Sequence, residues 1–497
     1  MHSTTTSSPH RWWPSFEKGG YMKLLNLPHP LTPSPKRRGG IKIIAAVCAA
    51  LVFIGCAQED KETLFSDTEI AIIKTLIYQD APAETSNSYE FNDAAATLGQ
   101  KFFWDTRFSG GIEITGNRTS SPAVTANSAN DFAVGQTRKI ACVTCHDPNF
   151  GWADSTSRPN KLSLGANFTD RNAPTVLNAA HNTYSLWDGS VDSVWSVMRP
   201  AVEGNPHGFG RAGVAYVICN SASYLTEYTT IFGTTDTAAV CGSLTAVPTL
   251  ANGWGRTTGS LYTGLTGGQR LNVDRIFANF GKAIAAYERK LVSKNSAFDQ
   301  WANGNEIAMS ASQKRGLKLF IGKGNCVRCH SGPNFADGDF HNLGVPQDDL
   351  IGSTYDYGQN TGITKLLTTT TAGNGYYNTA STYSDGGVNR VSGLSAATSH
   401  IGKFKTPTLR SVNLTPPYFH TGSFASLWDV VNFYNFAGNG GNFPGTKDTR
   451  LTTRRMTNEE MEDLVEFLKA LEGEALSATL TTTPTLTNDI AAWQIPP

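Results

Sequence analysis

The chain has 497 residues, more than one compact core usually holds, so two domains are expected. Its 41 basic and 41 acidic side chains cancel, which removes any global electrostatic argument for nucleic-acid binding. Charged residues are only 16% while glycine (48 residues) and aromatic residues are plentiful. That composition excludes a disordered chain and suits a loop-rich globular protein wrapped around something large and apolar.

The N-terminal segment reads as a destination. "PKRRGG" (35–40) is a basic run, and "IKIIAAVCAALVFIGC" (41–56) is an apolar stretch too short to span a membrane, with the layout of a secretory signal. "FIGC" resembles a bacterial lipobox with Phe53 where leucine is usual. On that reading Cys56 becomes the lipidated first residue of the mature protein, and Ala57 after it points to the outer membrane. Ordinary cleavage nearby, releasing a free periplasmic protein, is the alternative. Residues 1–35 read as dispensable, with Met22 as a candidate start.

Apolar periodicity predicts helices over 274–292, 312–320, 426–436 and 457–473. The first places Ile276, Phe277, Phe280, Ile284 and Tyr287 on one stripe, and the last opens with a capping box from Thr457 to Glu460. No alternating strand pattern recurs. The polar stretches 109–138 and 364–387 read as surface insertions. The expected fold is mainly α with long loops, in two helical lobes each containing one Cys-x-x-Cys-His run. The division runs 1–56 (upstream segment and signal), 57–295, 296–475, and a tail over 476–497.

Two runs carry the chemistry: Cys142-Val-Thr-Cys145-His146 and Cys326-Val-Arg-Cys329-His330. Two thiols at this spacing can add to the two vinyl groups of one haem, and the adjacent histidine then lies beneath the ring as iron ligand. Two copies behind an export signal point to two covalently bound haem c groups. A tetrahedral zinc site built from the four cysteines is the alternative, and it leaves both histidines without a role. Cys219 and Cys241 remain, free to pair in an exported compartment.

From about Leu98 to Leu471 the chain resembles the bacterial diheme cytochrome c peroxidase and MauG family. The matching stretches are "LGQKFFWDTRFS" (98–109), "CVTCHDP", "RNAPTVLN" (171–178), "LWDG" (186–189), "NCVRCHSGP", "FKTPTLRSVNLTPPYFHTG" (404–422) and "LVEFLKAL", in the family's order. The resemblance implies two c-haems in two helical domains, a calcium ion between them, and reaction with hydrogen peroxide at the N-terminal haem. It implies that Trp187 assists electron transfer between the haems. Asn172, Thr415 and Pro417 match the calcium ligands, an oxygen set suited to a hard cation. Tyr434 matches the second haem's axial position, where the family's peroxidases have methionine and MauG has tyrosine; His400 is an alternative ligand, and His420 matches a family histidine near the site. A phenolate there favours ferric iron and lowers the potential.

The departures lie on the open side of the first haem. Ala166 stands where resting peroxidases often carry a capping histidine, as in MauG-like members that lack it. Val197 stands at the family's distal glutamine. The distal glutamate falls at His207 on an ungapped count from Trp187, so Glu203 and His207 are the candidates for proton transfer during O–O cleavage. His207 could instead bind the iron and close the site. The resemblance implies as partners a small periplasmic electron donor (a c-type cytochrome or cupredoxin) or an oxidisable partner protein. Dimers occur in the family, and nothing in this sequence specifies an interface. The enzymatic reading is a periplasmic, MauG-like peroxidase; the other is a non-catalytic electron carrier or sensor.

Overall fold

The structure, a computed structural model, describes residues 64–114, 116–117, 131–154, 162–347, 355–438 and 441–490. The leader-like segment, Cys48 and Cys56 lie outside them, as does much of the polar stretch 109–138. The described chain is helical, and its only paired strands are two antiparallel two-residue ladders. No described helix is long and apolar enough to cross a membrane.

The described residues form one compact unit containing two principal cores. In the first, helix α2 (Asp93–Trp104) lies against the long helix α5 (Gly267–Glu288), and α3 (Arg211–Asn220) and α4 (Ala222–Phe232) close the layer. The expected stripe on 274–292 is there: Ile276, Phe277, Phe280 and Tyr287 are buried, and the helix begins at a Thr266–Gln269 capping box. Gly99 sets the spacing of α2 on α5. A Cβ there would stand 1.9 Å from the carbonyl oxygen of Ala283, so only glycine lets the backbones approach. In the second core α6 (Ala311–Ile321) lies on α9 (Asn458–Lys469), and Gly316 repeats the device, its Cβ position falling 1.9 Å from Asp463 O. The capping box at Thr457–Glu460 opens α9 as expected.

The cores do not follow the 295/296 division at their margins. Helix α1 (Asp67–Leu76) delivers Ile73 and Leu76 to the second core, with Phe65 just before it, and Arg410 locks it there by bonding Leu76 O and Asp299. The tail returns to the first lobe: Leu476 and Leu480 pack beside the first Cys motif, and Asp489 accepts from Ser221. The stretch 364–387 corrects the expectation of a surface insertion. It continues from α7 (Gln359–Leu367), and Tyr376, Tyr377 and Tyr383 pack against the first core. Three apolar rings bring enough area to bury a segment whose composition otherwise looks like loop. Cys219, on α3, is disulfide-bonded to Cys241.

Candidate functional site

The second Cys motif is placed by α6, which is capped by Ser310 and Gln313 and ends at Gly322. A turn through Asn325 leads into a 3-10 turn, Cys326–Arg328, closed by the His330 N–H on Cys326 O at 2.9 Å. Cys326, Cys329 and His330 thereby line one side of an apolar cleft of about 1500 Å³, its mouth included. His330 Nδ1–H donates to the Phe335 carbonyl at 2.9 Å, since a carbonyl can only accept, and this leaves Nε2 as the free lone pair. Helix α8 (Leu427–Asn435), within the expected 426–436, contributes Leu427, Val431 and Tyr434 to the same cleft. Burial lowers the proton affinity of His330 and pushes the Tyr434 phenol up, so Tyr434 as phenolate requires a cation in front of it.

The cleft fits a c-type haem by its donor chemistry: two thiols, a neutral imidazole and a phenol in one apolar slot, with Lys405, Arg450 and Arg454 also lining it. His400 is not among the lining residues, and its Nδ1 accepts the Ala397 N–H. His420 does line the cleft, stacked 3.6 Å from the Phe404 ring, with Nε2 buried and unbonded. Burial brings its pKa to about 3. His341 is clamped between Asp337 at Nε2 and Asp448 at Nδ1, both at 2.9 Å. Burial opposes its charging, but Asp337 and the Cys329 sulfur outweigh that and raise it to about 10. Trp187 lies at the cleft with its ring 6.3 Å from His420, and its Nε1 donates to Asn172 O at 2.8 Å. It thus joins the second cleft to the segment that follows the first motif. Asn172 itself donates to Asp154 O, and its N–H bonds His420 O. Thr415 packs on Gly151 nearby.

The first motif repeats the local geometry. Cys142–Thr144 is a 3-10 turn, the His146 N–H bonds Cys142 O at 3.0 Å, and His146 Nδ1 donates to Trp152 O at 3.3 Å. Phe103 of α2 stands 6.2 Å from the imidazole. Burial, and after it Glu288 at the end of α5, raises the Cys142 thiol, and the carboxyl of Glu288 is itself pushed up to about 8 by burial. The donor set again fits haem c: paired thiols and a half-buried imidazole, its proton affinity lowered by desolvation, oriented from behind by a carbonyl.

What faces this motif differs. His207 is buried, its Nδ1 donates to Phe108 O at 3.0 Å, and its Nε2 lies 3.9 Å from Cys142 Sγ. Burial brings it to about 4, the Phe108 carbonyl pulling the other way and His146 adding to the depression. Ala166 is fully buried against the same turn, bonded to Pro206 O, and presents only a methyl. Glu203 is held in ion pairs rather than standing free. Both its oxygens are held by Arg211 at 2.7 Å, and Arg199 adds a third contact at 3.3 Å. The pair closes the 203–211 segment that carries His207, so Glu203 positions that segment. The geometry also brings up two residues that no motif signalled. A Cβ at Gly208 would stand 3.1 Å from Arg256 Nη2, 3.5 Å from the Ala166 methyl and 3.8 Å from Glu113 Oε1. Arg256 and Glu113, 3.7 Å apart, come from segments far apart in sequence.

Known proteins resemble this chain in sequence and in fold. A family model described as di-haem cytochrome c peroxidase matches residues 130–307. Cytochrome-c peroxidase IdrP1 of Pseudomonas sp. (strain SCT) is 30% identical over 382 residues, 75% of this chain and 79% of that protein. The chain belongs to the di-haem cytochrome c peroxidase and MauG family. Methylamine utilization protein MauG of Methylorubrum extorquens is 28% identical over 355 residues, 71% of this chain and 78% of that one. In fold, the chain is similar to a MauG-like protein associated with microbial copper homeostasis (TM-score 0.54, 19% identity, 82% of this chain and 97% of that one). It is likewise similar to the diheme peroxidase BthA from Burkholderia thailandensis E264 (TM-score 0.52, 18% identity, 79% and 90%). As a member of the di-haem peroxidase family the protein is an oxidoreductase with two haem c groups, which the two Cys motifs and their histidines are built to hold.

Proposed function

We propose that the protein is a MauG-like di-haem peroxidase that reduces hydrogen peroxide at its first haem site, with electrons delivered through the second. Haem supplies the iron at which peroxide binds and is reduced. The chain supplies the rest. His146 and His330 would hold the iron of the two haems, each imidazole fixed by a backbone carbonyl, and Tyr434, lining the same cleft as His330, would be a further ligand there. Trp187 bridges the sites, hydrogen-bonded to Asn172 and edge-on to His420. The observation that carries the reading is His207, a buried imidazole neutral down to about pH 4 with its Nε2 turned toward the first motif. A lone pair there could take a proton from hydrogen peroxide and return it to the departing oxygen, with Phe108 O holding Nδ1–H.

A second reading has its own support. His207 carries the same Nδ1-to-carbonyl bond as His146 and His330, the arrangement of an iron ligand. If His207 ligates, the protein is an electron carrier or sensor. EPR of the resting protein with added peroxide separates the two. A high-spin ferric signal that disappears with peroxide supports the peroxidase; two low-spin signals inert to peroxide overturn it.

The electron source in this reading is a small c-type cytochrome or cupredoxin, or an oxidisable side chain on a partner protein. Calcium is assigned to Asn172 with the carbonyls of Thr415 and Pro417, and chelation should then change the coupling between the haems. The site of action is the periplasm, with Cys56 lipidated at the outer membrane; membrane fractionation of wild type against Cys56→Ser tests it.

A further inference from the structure

The first lobe holds a cluster that the peroxide chemistry does not use. Tyr376, Tyr377 and Tyr383 pack with ring centroids 5.0 to 5.4 Å apart. They surround Asp274 and Arg211, both almost wholly buried. Asp274 accepts from Tyr376 Oη at 2.8 Å and from Tyr262 Oη at 3.0 Å, and Arg211 Nη1 donates to it at 3.1 Å. Tyr383 Oη is 3.1 Å from Tyr376 Oη and 3.4 Å from Asp274. Rings lead from this cluster to the first haem site: Tyr377 to Phe277 (5.7 Å), Phe277 to Phe280 (6.2 Å), and Phe280 to Phe108 (4.9 Å). Phe108 is the residue whose carbonyl holds His207.

Removing an electron from a phenol makes its proton strongly acidic, so a buried tyrosine is oxidised readily only where a base can receive that proton. The tyrosines differ on this point. Tyr377 Oη is buried with no hydrogen-bond partner and has nowhere to send a proton. Tyr376 has a carboxylate at 2.8 Å and a second phenol behind it. Its ring is only half-buried, which opens it to an outside donor. Arg211, 5.3 Å from the ring centre, raises the potential of that ring and makes its oxidised form a strong oxidant.

We propose that Tyr376, paired with Asp274 and backed by Tyr383, is a one-electron oxidation site of this protein. It rests on the reading that peroxide reacts at the first haem site. Peroxide takes two electrons in becoming two waters. In the absence of an external donor, one electron comes from Tyr376, whose phenolic proton passes to Asp274, leaving a neutral phenoxyl radical; the other is drawn from the two bound haems, and the two protons that complete the waters come from solvent. A small one-electron donor then returns the electron, and Asp274 returns the proton.

The test is freeze-quench EPR of the holoprotein after peroxide, with optical spectra taken in parallel, on wild type, Tyr376→Phe and the double variant Tyr376→Phe/Tyr383→Phe. The expected result is a tyrosyl radical that narrows in ring-deuterated protein and is lost in both variants, while the haem spectra still respond to peroxide. Thermal melts matching wild type establish that the variants fold. A radical unchanged in the double variant overturns the assignment, as does a wild type whose haem responds with no tyrosyl signal. A haem spectrum indifferent to peroxide overturns the peroxide reading, and this inference with it.

Discussion

The two haem lobes are the same device built twice up to a point, and then they part. Each packs two helices at a glycine, Gly99 in one and Gly316 in the other, where a Cβ would strike a carbonyl at 1.9 Å. Each carries its Cys motif on a 3-10 turn and fixes the histidine by an Nδ1 bond to a carbonyl a few residues on. Opposite that histidine the likeness ends. The second lobe sets a phenol, Tyr434, in an apolar cleft; the first sets an imidazole, His207, within 3.9 Å of a motif sulfur. The half that holds the iron is local, and the half that decides what the iron does comes from distant segments.

The largest effect that would break or sharpen this asymmetry comes from removing one haem at a time. Cys142→Ser/Cys145→Ser and Cys326→Ser/Cys329→Ser should each halve the haem content measured by pyridine haemochrome. Only the first pair should abolish the optical response to peroxide, and equal loss in both would dissolve the division of labour. Next comes His207→Ala, expected to slow the peroxide reaction by about 10²- to 10⁴-fold with the second haem's spectrum unchanged. An unaltered rate removes His207 from proton transfer, and a low-spin to high-spin conversion makes it a ligand instead.

The pH profile follows with a definite sign. Burial lowers the proton affinity of His207 from 6.5 to about 4, so the folded protein keeps it neutral where an unfolded chain would charge it. Its acid limb in the peroxide rate should therefore fall near pH 4. By linkage His207 and His420, both depressed, cost stability as pH drops below 6.5 toward 4, which acid titration of the melting temperature measures. A limb near 6.5 would mean that His207 is solvated.

Tyr434→Phe should alter the EPR and optical spectrum of the second haem while the first still reacts with peroxide; an unchanged second spectrum removes Tyr434 as ligand. The smallest effect on the reaction is expected from Glu203→Gln. It breaks a buried ion pair, so the chain should lose about 3–5 kcal/mol of stability by denaturant unfolding. The acid limb of the peroxide rate should stay in place, and a displaced limb would return Glu203 to the proton path.

Much of this was legible in the sequence because it is local. Cys142, Cys145, His146, Cys326, Cys329 and His330 are spaced by a single turn, and a turn's geometry depends on a few consecutive residues. The helix read from periodicity and a capping box, α9, was found close to its observed limits, whereas α5, read from its apolar stripe alone, begins seven residues before the expected start at 274. Helix α3 was not, because eight of its ten residues are buried and a helix apolar all round has no stripe to read. The tyrosines at 376, 377 and 383 were hidden for the opposite reason, three rings inside a polar stretch whose burial depends on a core some hundred residues away.

The first haem's far side is where the residues alone ran out. Glu203 and His207 are four positions apart in one glycine-rich segment, and nothing in their order says which faces the motif. The chain by itself determined how each haem is held, since covalent attachment and the proximal ligand are short-range chemistry. The tertiary structure decided what stands opposite: Arg211, anchored to Asp274 on α5, takes the carboxylate of Glu203 and leaves His207 turned toward Cys142. A buried charge must find its partner, and which one it finds depends on packing between segments that meet only in the fold.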